Sequence, residues 1–310
     1  MLAGMAMTDF SKVAVLMGGW SAEREVSLSS GQAVLDALLR QGVNAIGIDV
    51  DKNICERLKQ EQVSHVFNMM HGRGGEDGVI QGVLDILKIP YTGSGVLGSA
   101  LSMDKMRCKQ LWLGLSLPTP EYQILQTEDD CERAIQKLGL PLMIKPVLEG
   151  SSIGISKVKS QQEMLPAWQL SQACGGTIMA EKFIQGEEYT AAIIGEQVLP
   201  MIRLETHNDF YDYQAKYISN DTRYICPCGL SEEAEAQLGG LMKQAFDAVM
   251  AKNWGRVDFM IDKYNQAWLI EVNTVPGMTD HSLVPMAARE AGYSFDELVM
   301  NILQGAELHD

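Results

Sequence analysis

Residues 254–282 constrain the fold more strongly than any other stretch of the chain. Two runs in which apolar and polar residues alternate, 257–261 and 267–272, flank the polar turn 262–266. Alternation with a period of two on both sides of a short polar turn predicts an antiparallel β-hairpin. We therefore expect an antiparallel sheet in the C-terminal half of the chain.

The predicted hairpin brings together the side chains of Asp258, Glu271 and Asn273. Strand residues two apart point to the same face, so Glu271 and Asn273 face one way while Val272 faces the core. Carboxylate and amide oxygens suit Mg²⁺, which proteins usually hold with one or two carboxylates and the phosphates of a substrate. Arg256 lies on the same face, and a cation beside a metal site is typical of phosphoryl transfer. Each acid alone would favour a solvated edge residue, but the whole set favours a functional site.

Length and charge limit the classes of function. A chain of 310 residues exceeds one average domain, which favours two or three compact units. The formal net charge of −15 argues against nucleic-acid binding, because a phosphate backbone requires a basic surface. No apolar run reaches the roughly 18 residues of a membrane helix, so we expect no membrane partner.

The cysteines and the N-terminal residues indicate the compartment. The six cysteines are scattered, and Cys226-Pro227-Cys228 lacks the spacing of a metal site or a redox motif. Reduced thiols in a cytosolic protein are the simplest explanation. Residues 1–10 contain no basic segment, and the apolar run that follows has only the length of a strand, so no signal peptide is expected.

The N-terminal part alternates predicted strands and helices. A short apolar run at 12–17 is followed by Gly18-Gly19, a polar loop and a helical pattern at about 27–41, and further strands are predicted at 43–50 and 65–70. This order predicts an open, mostly parallel α/β domain. The spacing G-x-G-x-x-G is absent, so dinucleotide binding is not expected.

Glu23 and His71 follow the ends of predicted strands in this domain. Open α/β sheets bind ligands at these strand ends. A single histidine is often a structural one, but the position of His71 opposite Glu23 makes contact with a substrate an equal alternative.

The central part has the features of a phosphate-binding lid. It follows the proline-containing connection 117–120 and carries the glycine-rich loop 149–154. The backbone N–H groups of such a loop bind phosphate, and Lys105 and Lys145 add positive charge. A glycine-serine loop alone is often only a turn; together with the two lysines it favours a lid over a triphosphate.

Three further stretches carry candidate contacts. The acids Glu181 and Glu188 surround a strand end and could accept hydrogen bonds from adenosine, or could be exposed charges. The segment 206–227 is a long loop that is expected to close over substrates. Gly277 lies in a turn before a helix, where free N–H groups suit a carboxylate or an oxyanion. Ser231 is predicted to cap a helix whose apolar positions between 238 and 250 face the core.

Several groups of residues, spread from Lys12 to the C-terminus, form one recognisable set. They are GGWSAEREVSL (18–28), HGRGGEDG (71–78), YTGSG (91–95), LSMDK (101–105), IKP with EGSSIG (144–154), YDYQAKY (211–217), and WGRVDFM with EVNTVPGMTDHSLVP (254–285). In this order they resemble the D-alanine:D-alanine ligase family, which belongs to the ATP-grasp superfamily. Trp20 occupies a variable place in the first motif.

The resemblance implies an ATP-grasp architecture of the α/β class, with α+β character in the C-terminal half. The implied domains are an open, mostly parallel α/β substrate domain (1–104), a central lid (105–188) and a C-terminal antiparallel-sheet catalytic domain (189–310). ATP would be held between two antiparallel sheets.

The resemblance also implies roles for residues that bind the nucleotide and metal. Phosphate contacts are implied for Lys105, Lys145 and Lys216, with Ser151 beside them. Adenosine contacts are implied for Glu181, Lys182, Phe183, Ile184 and Glu188. Two Mg²⁺ ions, for which Mn²⁺ can substitute, would be held by Asp258, Glu271 and Asn273.

A second set would bind the amino acids. The implied substrate contacts are Glu23, His71, Arg256, Gly277, Ser282 and Leu283. Hydrogen bonds among Glu23, Ser151 and Tyr217 would close mobile loops over the reactants. The implied catalytic residues are Glu23, Ser151, Tyr217, Arg256, Gly277 and Ser282.

The implied reaction joins two D-alanines at the expense of ATP. An acyl phosphate would form first, and ADP and phosphate would be released, in the synthesis of peptidoglycan precursors. Alternatives are another ATP-grasp carboxylate–amine ligase and a D-alanine:D-lactate ligase, although a tyrosine at Tyr217 accompanies dipeptide-forming members. A non-catalytic nucleotide-binding regulator would have lost a metal ligand or Arg256, and neither is missing. The resemblance further implies a cytoplasmic homodimer formed through the N-terminal domain.

Overall fold

The computed structural model describes residues 10–150, 153–205 and 222–309. Three sheets follow one another along the chain, and each is packed against helices. No helix in these ranges is both long and apolar enough to cross a membrane. All six cysteines lie in these ranges, and each is free.

The first sheet is parallel and has the order β2-β1-β3. Its strands are β1 (Val13–Met17), β2 (Ala45–Asp49) and β3 (His65–Asn68). Every residue of β1 is buried, as expected for a central parallel strand covered on both faces. The accompanying helices are α1 (Arg24–Arg40), α2 (Ile54–Gln60), α3 (Val79–Leu87) and α4 (Val96–Met103). The predicted parallel α/β arrangement is confirmed.

The second sheet is antiparallel and has the order β4-β7-β5-β6. Its strands are β4 (Tyr122–Leu125), β5 (Leu142–Pro146), β6 (Ser156–Val158) and β7 (Ile178–Lys182). Helices α6 (Glu128–Leu138) and α7 (Gln161–Gln172) cover it. Helix α5 (Lys105–Gly114) precedes this sheet in the chain.

The third sheet contains the hairpin predicted within residues 254–282. Its order is β11-β10-β8-β12-β13, with β9 beside β8. The strands are β8 (Gly186–Ile194), β9 (Gln197–Val198), β10 (Ile202–Glu205), β11 (Arg223–Ile225), β12 (Trp254–Asp262) and β13 (Ala267–Asn273). The predicted antiparallel pairing of β12 with β13 is confirmed, and a bulge lies between Asp258 and Phe259.

Three helices complete the C-terminal part: α8 (Glu232–Ala248), α9 (Leu283–Glu290) and α10 (Phe295–Gln304). The predicted cap of α8 is confirmed, since the Ser231 hydroxyl accepts a hydrogen bond from the Ala234 N–H. Met242 and Phe246 lie in the core, as expected. The prediction for Met250 was wrong: the helix ends before it, and Met250 is 50 % exposed.

The apolar cores show which parts of the chain pack together. One core joins β1 and α1 to β8, β10, α9 and α10, so the N-terminal and C-terminal parts share buried surface. Helix α5 packs with α8 and the third sheet through Cys108 and Trp112. The core of the second sheet contains only residues between Leu125 and Ala180. The second sheet and its two helices are therefore a separate packing unit, which we call the lid. The domain boundaries at 104 and 188 stay predictions.

Candidate active site

One face of the β12–β13 hairpin carries the predicted metal ligands. Asp258 lies opposite Glu271, and Arg256 lies opposite Asn273. Directly opposed residues of an antiparallel pair share a face, and so do residues two apart. All four side chains therefore project from the same face. Val272, on the other face, is buried in the core, as the alternation predicted.

Arg256 and Asp258 form a two-pronged ion pair on this face. Arg256 Nε and Nη2 lie 2.8 Å from the two carboxylate oxygens of Asp258. Thr190 Oγ1 donates to Asp258 Oδ1 at 2.6 Å, and Asn273 Nδ2 donates to Asp258 Oδ2 at 3.0 Å. Such a network fixes the guanidinium and the carboxylate in one orientation.

Lys105, at the start of α5, reaches the second carboxylate. Its Nζ lies 2.9 Å from Glu271 Oε2 and donates to the Glu149 carbonyl oxygen at 2.8 Å. Burial favours the neutral amine, but the attraction of Glu271 outweighs burial and raises the pKa of Lys105. The ammonium therefore stays charged between the hairpin and the glycine-rich loop.

The donor set of the hairpin fits a divalent cation. Among the described residues, no three His, Cys, Asp or Glu side chains form a metal-holding group by themselves. Asp258, Glu271 and the amide of Asn273 nevertheless share a face, and each carboxylate is paired with a cationic side chain. A site with two carboxylates suits Mg²⁺ when substrate phosphates supply the other ligands.

A cavity of about 510 Å³ opens over this face. It brings together residues from the N-terminal part, the hairpin and the turn before α9. The predicted site residues that line it are Glu23, His71, Lys105, Arg256, Glu271, Asn273, Gly277, Ser282 and Leu283. The cavity therefore lies at the carboxyl ends of the parallel strands, where open α/β sheets bind ligands.

His71, which is buried, and Glu76, which is half-buried, form one wall of this cavity. Burial lowers the pKa of His71 to about 4, so its imidazole is neutral at pH 7. Burial, reinforced by the nearby Glu23 carboxylate, raises the pKa of Glu76 to about 8. Glu76 accepts hydrogen bonds from the N–H groups of Gly72, at 2.6 Å, and Val275, at 3.3 Å. This wall therefore carries little charge although it contains two ionisable groups.

The turn before α9 approaches the cavity from the other side. A Cβ added at Gly277 would lie 2.9 Å from Ser282 Oγ, so a larger residue would displace this side chain. Ser282 Oγ accepts a hydrogen bond from the Thr279 N–H at 2.9 Å, and Ser30 Oγ accepts one from the Met278 N–H at 3.1 Å. These hydrogen bonds fix the turn to α1 and place it beside the N-terminus of α9.

The glycine-rich loop contacts the part of the cavity that Glu23 lines. A Cβ added at Gly150 would lie 2.9 Å from Glu23 Oε2, and Arg73 Nη2 lies 2.8 Å from Glu149 Oε1. The loop is therefore in contact with the N-terminal part. The predicted residues Ser151, Lys216 and Tyr217 lie outside the described residues.

A second cluster of charged groups lies away from this cavity, between the lid and α5. Lys145 Nζ lies 2.7 Å from Glu181 Oε1, and Lys109 pairs with Glu181 Oε2. Burial alone would raise the pKa of Glu181, but the two lysines outweigh it and lower the pKa. The Glu181 carboxylate therefore stays ionised although it is buried.

The other residues predicted to contact adenosine lie at the end of β7, in the turn after it and on β8. Lys182, Phe183 and Ile184 line a cleft of about 300 Å³ together with Trp268. Lys157 Nζ lies 3.7 Å from the centre of the Phe183 ring. Glu188 is half-buried on β8, opposite Met260 of β12. The structure thus separates the residues predicted to contact adenosine from those that line the main cavity.

Sequence reasoning missed two residues of the site. Glu76 lies inside the quoted motif 71–78, but an acid in a glycine-rich loop suggests a solvated side chain. Lys109 lies one helical turn after Lys105, and this i, i+4 spacing on α5 was the signal that could have found it.

Family models and curated relatives match most of this chain. The family model "D-ala D-ala ligase C-terminus" matches residues 111–304, and "D-ala D-ala ligase N-terminus" matches residues 55–94. The D-alanine–D-alanine ligase of Nitrosococcus oceani is 54 % identical over 303 residues, which cover 98 % of this chain and 96 % of the relative. That of Pseudomonas putida strain GB-1 is 54 % identical over 95 % of this chain and 92 % of its own length.

Solved structures match over a similar extent. The Bacillus anthracis D-alanine–D-alanine ligase complexed with ATP has a TM-score of 0.84 at 28 % identity, covering 95 % of this chain and 96 % of that one. The VanG D-Ala:D-Ser ligase of Enterococcus faecalis has a TM-score of 0.81 at 28 % identity, covering 94 % and 98 %. On sequence, family models and fold together, this chain belongs to the D-alanine–D-alanine ligase family.

Proposed function

We propose that this protein joins two D-alanine molecules to D-alanyl-D-alanine with ATP, releasing ADP and phosphate. The observation that carries the proposal is the cavity in which Glu23, Arg256 and Gly277 meet the Lys105–Glu271 pair. In this cavity Glu23 would bind the ammonium group of a substrate, and Arg256 with the Gly277 N–H would bind an oxyanion. Lys105 would bind a phosphate group in the same cavity. The dipeptide would serve peptidoglycan precursor synthesis.

In the first step, a carboxylate oxygen of D-alanine attacks the γ-phosphorus of ATP, and ADP leaves. Repulsion between the anionic reactants opposes this attack, and Lys105, Lys145 and Lys216 would offset it. Glu23 would hold the ammonium group of this D-alanine. His71 is neutral at pH 7 and adds no positive charge that would compete for the substrate carboxylate.

In the second step, the amine nitrogen of the second D-alanine attacks the acyl carbonyl carbon. The amine loses a proton, and inorganic phosphate leaves. Arg256 and the Gly277 N–H would stabilise the tetrahedral oxyanion, with Ser282 and Leu283 beside the second substrate. Ser151 and Tyr217 would close the loops with Glu23, because water would otherwise hydrolyse the acyl phosphate.

The nucleotide and metal assignments are part of the same proposal. Ser151, Glu181, Lys182, Phe183, Ile184 and Glu188 would surround ATP, and Asp258, Glu271 and Asn273 would hold two Mg²⁺ ions, with Mn²⁺ as a substitute. Bound Mg²⁺ would neutralise the phosphate oxygens and orient the γ-phosphate. The hairpin geometry supports this, since Asp258, Glu271 and the Asn273 amide share one face, and each carboxylate already attracts a cationic side chain, Arg256 or Lys105.

A second candidate function differs in the second substrate. One matching structure is a D-Ala:D-Ser ligase, so a hydroxylated or depsipeptide-forming second substrate is a specific alternative. A tyrosine at Tyr217 favours the dipeptide. We further propose that the protein is a cytoplasmic homodimer. We also propose domains 1–104, 105–188 and 189–310, and the separate core of the lid supports the middle one.

Coupled turnover with D-alanine, L-alanine, D-serine and D-lactate tests the proposal. We expect ADP and phosphate to be released with D-alanine, and mass spectrometry to detect D-alanyl-D-alanine. A chelator should abolish turnover, and added Mg²⁺ should restore it. Release of AMP and pyrophosphate would exclude the acyl-phosphate route, and faster turnover when D-serine or D-lactate is added to D-alanine would favour the alternative.

A further inference from the structure

We propose that Lys109 is a positioning residue for the nucleotide end of the site. Lys109 lies on α5 and is fully buried, with 0 % exposure. A buried ammonium is costly unless its charge is paired and its hydrogen bonds are made. A lysine at this position therefore needs hydrogen-bond acceptors and a negative charge around it, which an apolar residue would not need.

The Lys109 ammonium group has two hydrogen-bond acceptors and one ionic partner. Its Nζ donates to Thr119 Oγ1 at 2.7 Å and to the Pro120 carbonyl oxygen at 3.1 Å, and it pairs with Glu181 Oε2. Thr119 and Pro120 are the residues that lead into β4 and the lid. Lys109 thus binds the entry of the lid and a strand end of the lid at the same time.

The base of Lys109 is fixed to the C-terminal part. Trp112, three residues later on α5, donates from Nε1 to the Ala245 carbonyl oxygen at 3.0 Å. Thr119 Oγ1 also donates to the Leu269 carbonyl oxygen on β13 at 2.8 Å. Lys109 therefore transmits the position of α8 and β13 to Glu181.

Glu181 divides its carboxylate between two lysines. Oε2 pairs with Lys109, while Oε1 accepts from Lys145 Nζ at 2.7 Å. Without Lys109, the carboxylate would be free to turn fully towards Lys145 and draw its ammonium inward. Lys109 does not line the main cavity, so it acts through Glu181 and Lys145 and has no contact with the reacting atoms.

This inference rests on the proposed assignment of Glu181 and Lys145 to ATP. The test compares Lys109→Met, which keeps an unbranched side chain one atom shorter and without charge, with Lys109→Arg, which keeps the charge. Losing one charge-assisted hydrogen-bond network should raise KM for ATP at least about tenfold in Lys109→Met. The kcat and the KM for D-alanine should change by less than about threefold, and Lys109→Arg should recover most of the ATP affinity.

Lys243→Met is the matched control, because it removes a lysine from a surface ion pair on α8. It should leave all three kinetic constants unchanged. A double-mutant cycle of Lys109→Met with Glu181→Gln should be clearly non-additive in KM for ATP. If Lys109→Met does not fold, Thr119→Val, which removes one acceptor of Lys109, should show a smaller selective rise in the same constant.

Three outcomes decide the matter. An unchanged KM for ATP in Lys109→Met, or in Thr119→Val where the first variant does not fold, overturns the inference. A fall in kcat together with similar rises in KM for ATP and KM for D-alanine also overturns the inference, since such changes indicate general disruption of the enzyme. If Glu181→Gln and Lys145→Met also leave KM for ATP unchanged, both the inference about Lys109 and the proposed assignment of Glu181 and Lys145 to ATP fail. If Glu181→Gln and Lys145→Met raise KM for ATP and Lys109→Met does not, only the inference about Lys109 fails.

Discussion

Arg256 lies between the proposed metal ligands and the proposed oxyanion site, held by Asp258 on the hairpin face. Arg256→Ala should lower kcat on the order of 10²-fold, as loss of an oxyanion donor does. Asp258 keeps its hydrogen bonds from Thr190 and Asn273, so the fold should survive. Steady-state kinetics measures the effect, with Arg289→Ala on the exposed side of α9 as the control. Near-normal turnover of Arg256→Ala would remove this residue from the mechanism.

Glu76 should make the stability of the protein depend on pH. Its pKa is raised from 4.5 to about 8 by burial and by Glu23, while Arg256 acts in the opposite direction. A raised pKa means that stability from the protonated carboxyl is fully present below pH 4.5 and is lost as pH rises through about 8.

Glu76→Gln should therefore flatten the stability profile. Between pH 5 and pH 8, the free energy of unfolding of the unmodified protein should fall by about 2 kcal/mol or more relative to the variant. Urea unfolding at several pH values measures this difference, and comparing the two proteins cancels the opposite contribution of His71. Parallel profiles for the two proteins would show that Glu76 titrates normally.

The residues found from the sequence share a simple physical property. Arg256, Asp258, Glu271 and Asn273 lie on one face because of a period of two, which is a local rule. Lys109 and Glu76 could not be predicted from the sequence, because their importance comes from contacts with segments that are distant in the chain. A charged residue in a sequence suggests exposure, and only the fold reveals that these two are enclosed.

At the scale of elements, the lid has a core of its own. Ile144, on β5, is fully buried there, and Ile144→Ala should cost about 2–5 kcal/mol of local stability. Hydrogen exchange should show faster opening of β4 to β7 and unchanged protection of β12. Leu170→Ala on α7 is the control, because Leu170 is exposed. Equal loss of protection in β12 would mean that the lid does not open as a separate unit.

The elements themselves could largely be predicted, whereas their pairing could not. The helix predicted at about 27–41 corresponds to α1 (Arg24–Arg40), and the strand predicted at 65–70 begins at the same residue as β3 (His65–Asn68). Capping residues and alternation are local signals that the sequence displays directly. The order β4-β7-β5-β6 depends on contacts between distant residues, which no local pattern specifies.

At the scale of the whole molecule, the N-terminal and C-terminal parts share one core. Leu298, on α10, is fully buried in it, and Leu298→Ala should destabilise the protein by about 2–5 kcal/mol. Because the core is shared, hydrogen exchange should accelerate in both β1 and β12, while the lid keeps its own protection. Leu97→Ala, at an exposed position of α4, is the control. Loss of protection confined to α10 would contradict a cooperative core.

The shared core also has a consequence for synthesis on the ribosome. Residues 13–38 leave the ribosome long before residues 283–303, which cover the same face of the first sheet. The lid, whose core is complete once residue 180 has emerged, can pack while translation continues. Residues 13–38 must therefore wait for residues 283–303, and until then their apolar face is the surface that a nascent-chain chaperone would meet.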